Sequence, residues 1–256
     1  MTVMEPRVAE RRKSVSEDRA RKRLKWILLV IVVIALVLGA MWLIRSPVLS
    51  IREVEVSGAE QSDPRSAVVE LGMDIGTPTI DVDGDAIAAA VLTDPWVKAV
   101  DVTVEWPGSV TIEVTERTPL ASVLAGEQWL LVGRDGGAIT VVSQPGDSDA
   151  LVAIDQGSLE PGDLIADSAV LGALDFIDHL SEERQAGIRI RTEGDGIVAS
   201  VEGHDVRLGR PTDMAQKATI LDALLDSGVK AGASIDLIAP LRPAVTNPQP
   251  QVETEE

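Results

Sequence analysis

Histidine is the side chain whose proton moves most readily near neutral pH, and this 256-residue chain has two, His179 and His204. His179 ends an expected helix and His204 occupies an expected hairpin turn, so both read as solvated residues rather than as a base or a ligand. The chain holds no G-x-S-x-G elbow, no H-E-x-x-H pair and no G-x-x-x-x-G-K-[ST] loop. Cysteine is absent, which removes thiolate chemistry and disulfides. Acidic side chains are plentiful, and a carboxylate pair can hydrolyse a glycan. Most of them alternate outward on expected strands or sit in turns. Aromatic platforms are also scarce, with five Trp, one Phe and no Tyr. A membrane-anchored cell-wall glycan-processing enzyme is therefore the alternative reading. The preferred one has no catalytic group, no cofactor and no metal.

What organises the chain is the stretch Trp26–Ile44, WILLVIVVIALVLGAMWLI, nineteen uncharged residues between Lys25 and Arg45. At about 1.5 Å per residue it reaches roughly 28 Å, close to the hydrocarbon thickness of a bilayer. A soluble core helix of this length would show a polar face, and this one shows none. Trp26 and Trp42 lie near its ends, where amphipathic rings settle at the lipid–water boundary. The run exceeds the roughly 7–15 residues of a signal-peptide core. Arg45-Ser46-Pro47 follows it where a cleavage site would stand, so it reads as an uncleaved anchor crossing once.

The first 25 residues carry nine Lys or Arg and four acids, a charge of +5, whereas the whole chain stands at −18. That bias places the N-terminus in the cytoplasm and the body, at −23, outside. The basic head suits anionic lipid, and the acidic body repels phosphate backbones, so no nucleic-acid partner is expected. Charged and poor in apolar residues, the segment 1–25 is expected to be mostly disordered.

Beyond the span the pattern is α+β. Val54 and Val56 alternate with Glu53 and Glu55 as a half-buried strand. Asp63-Pro64 opens a first helix, and a second runs from about Asp83 to Leu92. Val100, Val102 and Val104 then alternate with polar neighbours, as do Val110, Ile112 and Val114. The turn Trp106-Pro107-Gly108-Ser109 between them predicts an antiparallel hairpin. The order is thus β-α-α-β-β. Trp96, after Asp94-Pro95, has the bulk for a core place between the second helix and the sheet.

After Thr118-Pro119 strands are expected at Leu120–Ala125, Trp129–Val132 and Ala138–Val142. Later ones fall at Gly187–Thr192, Gly196–Glu202 and Asp205–Leu208. One helix covers Ser168–Leu180, and another, capped by Thr212, reaches Asp226. Ser234–Ala239 is read as the final strand, and the proline- and glutamate-rich remainder as a disordered tail.

Several of these residues form an ordered set. Trp96-Val97, the Trp106-Pro107 turn with Gly108, and the exit Glu116-Arg117-Thr118-Pro119-Leu120-Ala121 resemble the FtsQ/DivIB family of bacterial cell-division proteins. Val54-Glu55-Val56-Ser57-Gly58, Val206-Arg207-Leu208-Gly209 with Lys217, and Ser234-Ile235-Asp236-Leu237 extend the likeness. The acidic, Ala/Val/Gly-rich composition resembles an actinobacterial member. Departures are Gly133, where many relatives carry Asp before the Arg-Asp-Gly turn, and Ile238, where some carry Arg.

The resemblance implies a division into a cytoplasmic basic tail (1–25), a transmembrane helix (26–44) and a POTRA domain (45–118). A β-rich, antiparallel second domain with two helices (119–244) and a disordered tail (245–256) would follow. It implies a non-enzymatic scaffold in the cell membrane, enriched at the division septum, binding FtsL-like and FtsB/DivIC-like bitopic partners. As the last strand, Ile235, Asp236, Leu237, Ile238 and Ala239 would close one edge of the second sheet and receive a partner there. Glu116 and Arg117 at the domain junction would serve an interdomain contact or a binding role.

Overall fold

The computed structural model describes the backbone of residues 6–247 and the side chains of residues 24–247. Helix α1 (Pro6–Ile44) is continuous. This corrects the expectation of a disordered head from Pro6 onward. Ala, Glu, Arg and Lys dominate residues 6–25 and all favour helix, and a helix already formed in the span extends without a new nucleus. Within α1, Leu24–Ile44 is long and apolar enough to cross a membrane, and none of it is buried.

The remaining elements are β1 (Glu53–Ser57), α2 (Pro64–Glu70), α3 (Gly84–Val91), β2 (Val97–Glu105) and β3 (Ser109–Glu116), followed by β4 (Pro119–Ala125), β5 (Gln128–Gly133), β6 (Ala138–Val142) and β7 (Leu151–Ala153). Then come α4 (Ser168–Asp178), α5 (Glu182–Gln185), β8 (Arg189–Glu193), β9 (Gly196–Val201), β10 (His204–Gly209), α6 (Met214–Asp226), β11 (Ser234–Asp236) and β12 (Ala244–Thr246). The predicted β-α-α-β-β order holds, and its strands form a three-stranded sheet ordered β1-β3-β2.

The chain divides into two compact units. The first comprises the chain to Glu55 with Val68–Gly84 and Val102–Thr111. The second comprises Val56–Ala67, Asp85–Asp101 and the chain from Ile112 onward.

In the first unit α1 passes without a free linker into a short 3₁₀ turn, Pro47–Leu49. The Ser46 N–H donates to Leu43 O at 3.1 Å, and the Leu49 N–H to Ser46 O at 3.0 Å. The next residues are tied on both sides. Ile51 N–H donates to Thr77 O (2.8 Å), and Arg52 N–H to Gly108 O (2.8 Å). Gly108 has φ of +123°, and a Cβ there would overlap the Ser50 carbonyl oxygen, so both the turn and the close approach require glycine.

The second unit is built on a nine-stranded sheet, ordered β12-β11-β10-β9-β8-β7-β4-β5-β6. Three of its pairings, β10 with β11, β4 with β7 and β7 with β8, are parallel, so the sheet is mixed rather than antiparallel throughout. Helix α4 covers the core with Val170, Ala173, Leu174, Phe176 and Ile177, and α6 adds Met214, Ala218 and Leu221. Asp167 caps α4, accepting from the Ala169 N–H at 2.7 Å and the Val170 N–H at 3.2 Å. The expected Thr212 cap of α6 is displaced to Asp213, whose φ is +56° and whose side chain makes no cap bond.

Candidate interaction site

Strand β11 is the expected docking strand, and β12 corrects its place in the sheet. Ser234 pairs with Thr246, Ile235 with Val245 and Asp236 with Ala244, so β12 forms the edge and β11 lies inside it. Val245 and Thr246 thereby leave the expected tail; residues 248–256 of that tail lie outside the described residues. Ile235 and Leu237 are fully buried, while Ile238 and Ala239 are exposed. The Leu237 N–H donates to Arg207 O of β10 at 2.8 Å. Backbone polarity alternates along a strand, so Ile235 and Leu237 direct their main chain toward β10, and Ser234 and Asp236 toward β12. By the same register Val245 turns its N–H and C=O outward, to the open side of the sheet. All three residues of β12 are exposed.

A cleft of about 440 Å³ at the end of β10 is lined by Arg207, Gly209, Arg210, Lys217, Ile238 and neighbours on the β8–β9 hairpin. Lys217 is almost fully buried, at 1 % exposure. Its Nζ donates to Leu208 O (2.7 Å) and Arg210 O (3.0 Å), which fixes the start of α6 to the end of β10. Burial draws this ammonium below the usual lysine range, and Asp213 opposes the shift. Arg207 pairs loosely with Asp236 at 3.8 Å.

Glu116 and Arg117 perform opposite tasks from adjacent positions. The Glu116 carboxylate accepts from the N–H groups of Glu60, Gln61 and Ser62 and from the Ser62 hydroxyl, at 2.6–2.9 Å to Oε1. Burial alone would raise its pKa. The Ser62 hydroxyl and the three N–H groups outweigh that and hold it below the usual range. The Arg117 guanidinium donates from one nitrogen to Pro95 O and Val97 O, both at 2.6 Å, and from Nε to Asp135 at 3.2 Å. A Cβ at Gly137 would overlap that guanidinium. Both side chains are thus occupied within the second unit. Pro119 opens β4 opposite Gly133.

The other expected residues fall apart from this edge. Lys25, Trp26, Trp42 and Arg45 are exposed along α1 and just past its end. Trp96 is half-buried and not a core residue; Val97 beside it takes the buried place, because its strand's first side chain points inward. Trp106 is exposed, the Trp106–Pro107 peptide is cis, and Gly108 N–H closes the turn on Glu105 O at 2.9 Å. His179 is half-exposed and bonded to its own helix through Asp175 O. His204 corrects the expectation of a solvated residue. It is 5 % exposed at the start of β10, with Nδ1 3.2 Å from Ala233 O.

Residues 49–117 match the family model described as "POTRA domain, FtsQ-type". Across most of the chain the similarity is to proteins named cell division protein FtsQ. The one from Streptomyces venezuelae is 30 % identical, over 85 % of this chain and 82 % of its own length. The chain belongs to the FtsQ family. The Corynebacterium glutamicum protein is 26 % identical over 77 % of this chain and 87 % of its own. That of Mycolicibacterium smegmatis is 31 % identical over 89 % and 66 %. The actinobacterial likeness read from composition agrees with these sources.

Within an FtsQ protein the residues that carry the resemblance acquire physical reasons. Lys217 clasps two strand-end carbonyls, and Arg117 clasps two more. Sequence reasoning missed their acceptors because carbonyl oxygens belong to the backbone and leave no residue signature. It missed Asp135 as well, although a carboxylate in the Arg134-Asp135-Gly136 turn was visible. It missed β12 because three residues, Ala244–Thr246, lie between prolines.

Proposed function

We propose that the protein is a non-enzymatic bitopic scaffold of the division machinery, linking membrane-anchored FtsL-like and FtsB/DivIC-like proteins during septum formation. Its N-terminus faces the cytoplasm, and its acidic body stands outside, joined by the span in α1. The observation that carries the docking part is the open edge of β12. A free strand edge offers main-chain donors and acceptors that can pair with an incoming chain, and alternate side chains set the choice of partner. The partner strand adds at Val245, with β11 behind it as a buried support. The assignment of Ile235–Ala239 to docking is kept in that supporting sense.

Depletion should give long cells without septa, and the wild-type chain should restore division. The Val245→Pro variant should remain folded and membrane-bound yet fail to co-purify the bitopic partners. Full complementation by that variant places the docking edge elsewhere. A reporter fused after Glu256 should be active only outside the cytoplasm, and activity inside would invert the topology.

A further inference from the structure

We infer that the rim of the first unit nearest the span is a second membrane contact, in which Val48, Ile75, Ile80 and Trp106 seat at the outer lipid headgroups. The inference rests on the reading of α1 as a membrane span.

All four side chains are large, apolar and more than half exposed: Val48 57 %, Ile75 66 %, Ile80 52 % and Trp106 53 %. They come from three separate segments of one compact unit that also contains the span. Hydrogen bonds hold each segment against residues 48–52. The Thr79 hydroxyl, next to Ile80, donates to Leu49 O at 2.8 Å. Gly76 N–H, next to Ile75, donates to Ile51 O at 2.9 Å. Gly108, two residues after Trp106, abuts the Ser50 carbonyl and accepts from Arg52 N–H.

That platform is tied to the end of the helix. The Ser50 hydroxyl donates to Ser46 O at 3.3 Å, and Ser46 is itself bonded to Leu43 inside the span. Ser46 and Ser50 are 7 % and 5 % exposed, so the exit of the span is packed into the rim rather than spaced from it. From Ser46 to the Gly108 backbone the path is two non-bonded contacts and one residue. The headgroup layer is about 5–8 Å deep on each side, from the difference between whole bilayer and hydrocarbon core, so a platform tied this closely to the exit of the span stands at its level. A tryptophan and branched aliphatics suit that layer. Asp74, Asp81 and Glu105 flank the patch, which keeps the seating shallow, at the headgroups and not in the hydrocarbon.

The absence of cysteine makes the test direct, because any introduced thiol is the sole one. Val48→Cys, Ile75→Cys, Ile80→Cys and Trp106→Cys are prepared singly in the full chain. Each is labelled with an environment-sensitive fluorophore and placed in phosphatidylcholine–phosphatidylglycerol nanodiscs at one protein per disc. Leu36→Cys in the span and Asp195→Cys on the β8–β9 turn serve as references.

The inference predicts blue-shifted emission at all four rim positions, with quenching by headgroup-level spin-labelled lipid, and aqueous emission at position 195. Aqueous emission at the rim with a lipid-buried position 36 overturns it. A blue shift seen only in discs with two proteins assigns the patch to a second copy and also overturns it. Aqueous emission at position 36 instead overturns the span reading, a separate failure.

Discussion

Strand β11 and the residue after it bury Ile235 and Leu237 completely, whereas β12, paired to β11 residue for residue, buries none of its three side chains. Both belong to one sheet, and what holds them differs in kind. The first is fixed by apolar burial, which is non-directional and scales with area. The second is fixed by main-chain hydrogen bonds, each with a net contribution of only about 0.5–1.5 kcal/mol. A strand of the first kind is structure. A strand of the second kind leaves its outer edge free for another chain, and its side chains can vary at small cost.

The comparison is tested most severely at Leu237. Leu237→Ala should cost about 2–5 kcal/mol, as deletion of a fully buried leucine does, read from the midpoint of denaturant unfolding of the chain in detergent. Leu237→Pro should cost more, because it also removes the N–H that donates to Arg207 O. Proline at 237 is therefore a probe of folding and a poor probe of docking. A loss below about 1 kcal/mol for the alanine variant would put β11 in the same class as β12.

Arg117→Ala should come next, at about 1–3 kcal/mol for buried acceptors left without a donor. It strips the Pro95 and Val97 carbonyls of their shared partner and leaves Asp135 without its cation, with only the Gly137 N–H still donating to it. Arg117→Lys should recover part of the loss, since one ammonium cannot reproduce the forked geometry. Equal losses for both would mean that packing of the stem, and not the hydrogen bonds, supplies the stability.

These two positions also show what the sequence could disclose. The apolar alternation in β2 and β3 located both strands, because a half-buried strand writes period two into its residues. Ile235 was legible for the same reason. The partners of Arg117 were not, because two of them are carbonyls. Strand β7, Leu151–Ala153, escaped because three residues between two parallel neighbours are too few to show a period, and β12 escaped similarly. His204 looked solvated from its place beside Gly203, yet it lies against Ala233 O, a contact made 29 residues away. Edge, burial and clasp are tertiary facts. The strand pattern was the local fact beneath them.

Glu116 extends the comparison to a loop held by one side chain, whose carboxylate gathers three backbone N–H groups and the Ser62 hydroxyl. Its folded pKa is held below the unfolded value, so its contribution is fully present above the usual glutamate range, about 4.3. That contribution is lost as pH falls through the lower, folded value. Unfolding midpoints measured from pH 6 to pH 2 should decline less for Glu116→Gln than for the wild type over that acid window. The difference should be smaller than the Arg117 effect, because solvent reaches this carboxylate. Parallel pH curves would show that the loop 60–62 is held by something other than the charge.

The smallest effect is expected at Val245, where stability and docking should separate. Its side chain is 40 % exposed, so Val245→Thr should change stability by less than about 0.5 kcal/mol and leave division intact. Val245→Pro should also be tolerated by the fold, because the register directs the lost N–H away from β11, where an edge strand accepts proline. The two variants differ chiefly in that single outward donor. If pairing at the edge draws its affinity from the main chain, threonine preserves partner capture and proline reduces it, with both proteins showing the same circular dichroism. Loss of capture in the threonine variant would transfer the recognition to the valine side chain. Retention in both would remove β12 from the docking surface, and the contrast with β11 would then be one of burial alone.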